Sequence, residues 1–413
     1  MTERDTPSGR RGALPDRPFG RAPELVHRSG IRRWIAVVAP AALLLGAVVG
    51  GGVYFEWLAS PGPPAGAGGC ATGVTLWGEG ASFLAPLESA WNSGYRAASG
   101  NQVNYDEAGA GAGISALAVP SVDFAATDEP LTSAQYHSMR GTVLTLPVTA
   151  GALAIVYNLP GLSGPIRLNG TVLAQIYFGT LSNWDSSATR ALNPGVSFPA
   201  QTIVTVHRSD AAGTTFVLTN YLSEASAVWS DGPGTGIQPS WPSAAAQQAE
   251  QGNAKVVEYV ERTPYSIGYA DLPDVLGVPG LQYAEMQNPS GNFLLPTLLD
   301  TASAVSDVLG NTSFPTASSP WTNVSLVNAP GPSDYPLATF AYLLVFQDAR
   351  LGFQPSLEKT RALVEWLGFV VGGGQNDSAA LQYVPLPPAL VALDRTAIAT
   401  ITYGGGPVSC GVR

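Results

Sequence analysis

From residue 74 onward, short apolar runs alternate with glycine-rich turns and with stretches whose apolar residues recur every three or four positions. The run VTLW (74–77) reads as a strand and GEGASF as a turn. Leu84, Leu87, Trp91 and Tyr95 then share one face of a helix starting near Ala85. NQVNY predicts a second strand. AGAGAGISALAV is a glycine loop leading into a short helix, and VDFAATDEP is a strand ending in acids. LTLPVTAGALAIVYN predicts extended structure, TVLAQIYFGTL a helix, and IVTVHR a strand that runs into RSDAAGTT and another helix. Alternating strands and helices, with glycine turns at the strand C-termini, predict a mainly parallel α/β sheet with ligands at those C-terminal ends.

Ahead of this body the pattern differs. Residues 34–55 (WIAVVAPAALLLGAVVGGGVYF) carry no charge, a length sufficient to cross a hydrocarbon core of about 30 Å. Arg28, Arg32 and Arg33 precede the run and Glu56 follows it, which puts the N-terminus in the cytoplasm and the body outside. The reading is a basic cytoplasmic tail (1–33), a signal anchor (34–56) and a Pro/Gly linker (57–71). Signal-peptide cleavage after LAS (58–60) is the alternative.

Charge sharpens the division. The segment before Trp34 holds a net +4, so in a chain of total charge −10 the remainder carries −14. An acidic body gives no electrostatic footprint for nucleic acid. Charged residues are only 12% of the chain, while 47 Gly and 34 Pro mark many short turns. Only two cysteines occur, Cys70 and Cys410, near the two ends of the body. Outside a membrane such a pair predicts a disulfide.

Three turns share one design: a strand, a glycine-rich turn with small residues, and a helix start. They are GEGASF (78–83), GAGAGIS (109–115) and RSDAAGTT (208–215). Each alone is an ordinary βα turn. Together, one with Arg208 and one near Asp128, they predict an anion site built from backbone N–H groups and hydroxyls. Enzymatic readings lack their residues. GAGAGIS has no lysine for a nucleotide-binding loop, and no G-x-S-x-G turn occurs. His137 and His207 are the body's histidines, too few with two cysteines for a transition-metal centre. His207 reads as a strand residue with no catalytic role. Neither cofactor nor metal is expected, and no enzyme activity.

In order along the chain, GEGASFLAPLESAW, GNQVNY, VDFAATDEPL, LPVTAGALAIVYNLPGL, LAQIYFGTLSNWDSSATRALNPG, HRSDAAGTTFVLTNYL and SIGYADL resemble the phosphate-binding protein of the phosphate-specific ABC transporter. ALVEWLGFVVGGGQ and ALQYVPLPPALVAL resemble that family's C-terminal helices. The resemblance runs from about residue 72 to 405. It implies a two-lobed periplasmic-binding-protein (Venus flytrap) fold, with two α/β lobes joined by hinge strands. Lobe 1 would comprise 72–150 and 275–410, and lobe 2 would comprise 151–274. It further implies a monomeric body that takes inorganic phosphate between the lobes and passes it to ABC permease subunits.

By position, the resemblance assigns the anion to Ser82 and the Phe83 backbone, Asp128, Arg208, the Gly213 backbone and Thr214. Arg208 supplies a planar fork, and Asp210 is placed to orient it. Asp128 can only accept, so it requires an anion that carries a proton, as phosphate does and sulfate does not. Ala110 and Ala212 stand where the family usually presents serine. Each lost hydroxyl would cost about 1.5–3 kcal/mol of anion binding if nothing replaced it. Weak phosphate binding, or another oxyanion in a tethered sensory or interaction protein, is the alternative reading.

Overall fold

A computed structural model describes residues 70–242 and 246–409. The tail, the apolar run, most of the linker and Cys410 lie outside the described residues. Among the described residues, no helix is long and apolar enough to cross a membrane.

The predicted alternation is present. Strands β1 (Thr75–Gly80), β2 (Gln102–Asp106) and β3 (Phe124–Thr127) are separated by helices α1 (Ala85–Ser99) and α2 (Ala110–Ala118). β1 lies parallel to both β2 and β3. The chain then enters β4 (Val143–Tyr157), a strand of 15 residues, all of them buried. Beyond it come α3 (Gly170–Phe178), β5 (Val204–Arg208), α4 (Gly213–Ala225), β6 (Gln247–Glu250), α5 (Gly252–Arg262) and β7 (Ser266–Asp271). Here β5 is parallel to both β6 and β7. The return runs through α6 (Leu298–Asn311), β8 (Ala338–Phe346), α7 (Leu357–Val370) and α8 (Pro388–Ile398).

One nine-stranded sheet carries the order β2-β1-β3-β8-β4-β7-β5-β6, with Gln282–Tyr283 also paired to β4. The expected parallel pairing holds within each half and fails in the middle. β8 is antiparallel to β3 and β4, and β7 is antiparallel to β4. The reason is topological: β4 carries the chain out of the first half and β8 carries it back. Both are buried along their whole length and mostly apolar because both faces are covered.

Two principal cores flank this crossing. The first gathers Leu76, Leu87, Trp91, Tyr95, Phe124 and Trp366, with the Phe124 and Trp366 rings 4.2 Å apart. Its share of β4 ends at Ala150, and the second core begins at Ala152. That second core holds Leu173, Tyr177, Trp184, Leu218, Tyr221 and Trp229. It also takes in Ala284, Met286, Tyr335 and Leu337, so it reaches beyond residue 274.

Glycines in the first predicted turn serve packing as much as turning. Gly78 and Gly80 belong to β1, where a Cβ would meet the Phe124 ring at 2.0 Å and the Ala126 carbonyl at 2.0 Å. Periodicity cannot separate a glycine turn from a glycine-bearing strand end, because glycine contributes no side chain to either pattern.

Candidate anion-binding site

The three turns converge where the lobes meet. Ser82 opens a short 3-10 turn (Ser82–Leu84) directly after β1. Ala110 opens α2, behind Gly109, whose φ of 103° is open to glycine at little cost. Gly213 opens α4, after Ala212. All three turns follow a strand and deliver backbone N–H groups that have no partner within their own helix. The lobes touch through them. The Gly111 N–H donates to the Ala211 carbonyl at 3.0 Å, and a Cβ on Gly109 would lie 2.7 Å from the Asp210 carboxylate.

Arg208 ends β5 and is 2% exposed. Its Nε donates to Asp210 Oδ1 at 2.8 Å, and its Nη2 to Asp210 Oδ2 at 2.5 Å. Nη1 donates to Ser82 Oγ at 3.1 Å, Thr214 Oγ1 at 3.0 Å and Asn253 Oδ1 at 2.6 Å. The Arg208–Ser82 bond spans the two lobes. Burial is the largest single influence and opposes the guanidinium's charge. The Asp210 hydrogen bonds, together with the negative field of Asp210, Tyr269 and Asp271, still hold its pKa above the ordinary value. Burial is likewise the largest single influence on Asp210 and opposes its ionisation. The Arg208 hydrogen bonds, the Arg208 charge and backbone N–H donors together keep the carboxyl below the usual range. The Gly252 N–H adds a bond to Asp210 Oδ1 at 3.1 Å. The pair is ionised and joined by two parallel charge-assisted hydrogen bonds.

Asp128 follows β3 and is 1% exposed. Neither carboxylate oxygen has a hydrogen-bond partner among the described residues. The side chain abuts the start of α4, where a Cβ on Gly213 would fall 1.7 Å from Oδ1. Only glycine fits there. Burial pushes the carboxyl up to about 7; Arg208 pulls against that and Asp210 pushes further up. A buried carboxyl without a partner is costly, and it stays neutral or finds a donor.

Phe83 is buried, and its carbonyl accepts from the Tyr383 hydroxyl at 2.5 Å. Its ring packs where a Cβ on Gly151 would lie 2.6 Å away, so the crossing strand β4 supports the Ser82 turn directly. Ala110 and Ala212 are 0% and 1% exposed, at the starts of α2 and α4. Every residue expected at the anion site is therefore in one neighbourhood. His207, expected to be a plain strand residue, stacks its ring on Trp241 with centroids 4.6 Å apart. Burial lowers its pKa.

Residue patterns missed the layer behind Arg208. Asn253 near the start of α5 accepts from Arg208 and donates to Asp271 Oδ2. Tyr269 Oη accepts from the Arg208 backbone N–H at 3.0 Å and lies 2.7 Å from Thr215 Oγ1. The signal was available for Asn253. The segment EQGNAKVVEYV is a fourth strand–glycine–helix junction, with Gly252 at φ 76°.

Among known proteins, a family model described as a PBP superfamily domain matches residues 65–371. The phosphate-binding protein PstS of Xylella fastidiosa is 34% identical over 319 residues, covering 77% of this chain and 83% of that protein. The solved periplasmic phosphate-binding protein PfluDING, with phosphate bound, has a TM-score of 0.62 at 19% identity, covering 78% of this chain and 93% of that one. A phosphate-binding protein from Stenotrophomonas maltophilia gives 0.60 at 18% identity, over 79% and 94% of the two chains. The solved structures share the fold. Together with the model match and the identity to PstS over most of both chains, they establish that this chain belongs to the PBP superfamily and, within it, to the phosphate-binding proteins.

Proposed function

We propose that the chain captures inorganic phosphate between its lobes for ABC-type import, using Ser82, the Phe83 and Gly213 backbone N–H groups, Asp128, Arg208 and Thr214. The observation that carries this reading is the pairing of a buried, ionised Arg208 with an unpartnered buried Asp128 at a helix start. Arg208, the hydroxyls and the helix N-terminus favour an anion. Asp128 demands that the anion bring a proton, or that Asp128 hold one itself. A protonated phosphate meets that demand, whereas sulfate against an ionised Asp128 leaves two acceptors facing each other.

Calorimetric titration of the full-length chain at about pH 8, where Asp128 is ionised, tests the reading. Phosphate and arsenate should bind and sulfate should not. Sulfate binding as tight as phosphate, or no heat from any of the three, would overturn it. The second reading, a tethered sensor with weak binding, is favoured by the two buried alanines at the starts of α2 and α4. It predicts a small phosphate affinity in the same titration.

Delivery to permease subunits, the anchor at 34–56 and the Cys70–Cys410 bridge complete the proposal. No described cysteine is free. Ala71 and Val74 pack against the core that contains Val408, which supports a bridge between the two ends of the body. On the chain-entropy model a loop this long would gain about 5 kcal/mol from closure. Mass spectrometry of the unreduced protein should find no free thiol, and two free thiols would remove the bridge. Alkaline extraction of membranes should leave the chain in the pellet, and its release would remove the anchor.

A further inference from the structure

Asn253 occupies a position between charges that a packing role does not require. It is 1% exposed, and its two amide atoms face opposite partners. Oδ1 accepts from Arg208 Nη1 at 2.6 Å, and Nδ2 donates to Asp271 Oδ2. A carboxamide held by a guanidinium on one side and a carboxyl on the other has only one orientation that satisfies both.

A guanidinium has five N–H donors in a rigid plane. Asp210 takes one from Nε and one from Nη2, and Asn253 takes one from Nη1. The remaining two, one on each terminal nitrogen, are those a bidentate anion needs. Ser82 Oγ and Thr214 Oγ1, at 3.1 and 3.0 Å from Nη1, share the one hydrogen that Asn253 leaves there. Both hydroxyls can rotate to donate to an anion and give up the Arg208 hydrogen.

Resting on the proposed function, we propose that Asn253 is a further positioning residue of the anion site. Its fixed carboxamide holds the terminal edge of Arg208 toward the anion without adding negative charge. An aspartate of the same shape would do the opposite. It would face Arg208 of β5, itself paired with Asp210. It would also face the carboxyls of Asp271 at the end of β7 and Asp274 in the next turn, which burial and then Asp128 and Glu107 of the other lobe push up. Burial already keeps Asp271 well above the usual carboxylate range, followed by the influence of Asp128. Burial pushes Asp274 up to about 6. A new carboxyl at 253 would be protonated at low pH and resemble the amide. At high pH it would ionise, divide Arg208 between two carboxylates and repel the anion.

The test is phosphate titration of the full-length parent, Asn253→Ala and Asn253→Asp at about pH 6 and about pH 8, with thermal melting as the fold control. Asn253→Ala should weaken binding about tenfold or more at both pH values, the loss of one charge-assisted bond. Asn253→Asp should lose little at the lower pH and more than tenfold at the higher one. A purely structural role would not move with pH in an isosteric variant. The inference is overturned if the folded variants bind within about twofold of the parent at both pH values, or if Asn253→Asp loses equally at both. Should Asn253→Ala fail to fold, Asn253→Asp decides alone. Failure of both to fold would assign Asn253 to stability and also overturn it. A parent that binds no phosphate would sink the proposed function instead, a result distinct from any of these.

Discussion

Arg208 is charged, almost wholly withdrawn from water, and held by Asp210 through two parallel bonds. Such a pair stabilises little in itself but is costly to break from one side. Arg208→Lys should keep the fold yet weaken phosphate binding by more than about tenfold, because an ammonium cannot satisfy Asp210 and present a fork at once. Titration of that variant at parental affinity would remove Arg208 from the site. Asp128 acts through the opposite property, its lack of a partner. In Asp128→Asn the amide can donate to an unprotonated oxygen, so the gap between phosphate and sulfate should narrow. A variant that still rejects sulfate completely would end the discriminating role.

At the scale of elements, the site is a meeting of helix starts. α2 and α4 both begin at the interface between the lobes, and neither has a side chain capping its first turn. Ala212 occupies the N-cap of α4 in extended backbone, the conformation in which serine accepts from the N2 or N3 N–H. Ala212→Ser should therefore stabilise the body by about 1 kcal/mol even without ligand. Combined with Ala110→Ser it should tighten phosphate binding at least about tenfold, since ~1.4 kcal/mol from two hydroxyls is enough. A double variant that melts higher but binds no better would separate the capping effect from the anion and show that these hydroxyls do not reach it. Gly213→Ala should fail to bind, because its Cβ and Asp128 Oδ1 cannot share one place. Gly236→Ala, which meets nothing within 4 Å, is the control.

At the scale of the whole molecule, buried acids among the described residues outnumber the buried cations. Burial pushes Glu88 and Glu129 each up to about 8, Asp128 to about 7 and Asp274 to about 6. In the unfolded chain these groups titrate near ~4. Between about pH 4 and 8 the folded protein thus binds more protons than the unfolded one, and its stability falls as pH rises through the folded values. Asp210, held below its ordinary value, works in the other direction and only at lower pH. Calorimetric melting without phosphate should give a midpoint a few degrees higher at about pH 5.5 than at about pH 8. A flat or rising profile would mean that these carboxyls are solvated in solution.

The strands, the helices and the three turns were legible because local chemistry writes them. Leu87, Trp91 and Tyr95 can share a buried face only in a helix, and glycines with small hydroxyls after apolar runs mark βα turns whichever lobe they serve. The order of the motifs carried the family, and with it Arg208, Asp128 and Thr214. Tertiary structure alone decided what depends on partners far apart in the chain. β4 reads locally as one long apolar run, and nothing local shows that its first half faces one core and its second half another, or that β8 returns beside it antiparallel. The GEG segment became strand because it pairs with β2 and β3, and its two glycines let Phe124 and Ala126 approach where a side chain would not fit. Asn253 and Asp271 joined the site for the same reason: a polar residue's role is set by which charges close around it, and those arrive from other strands.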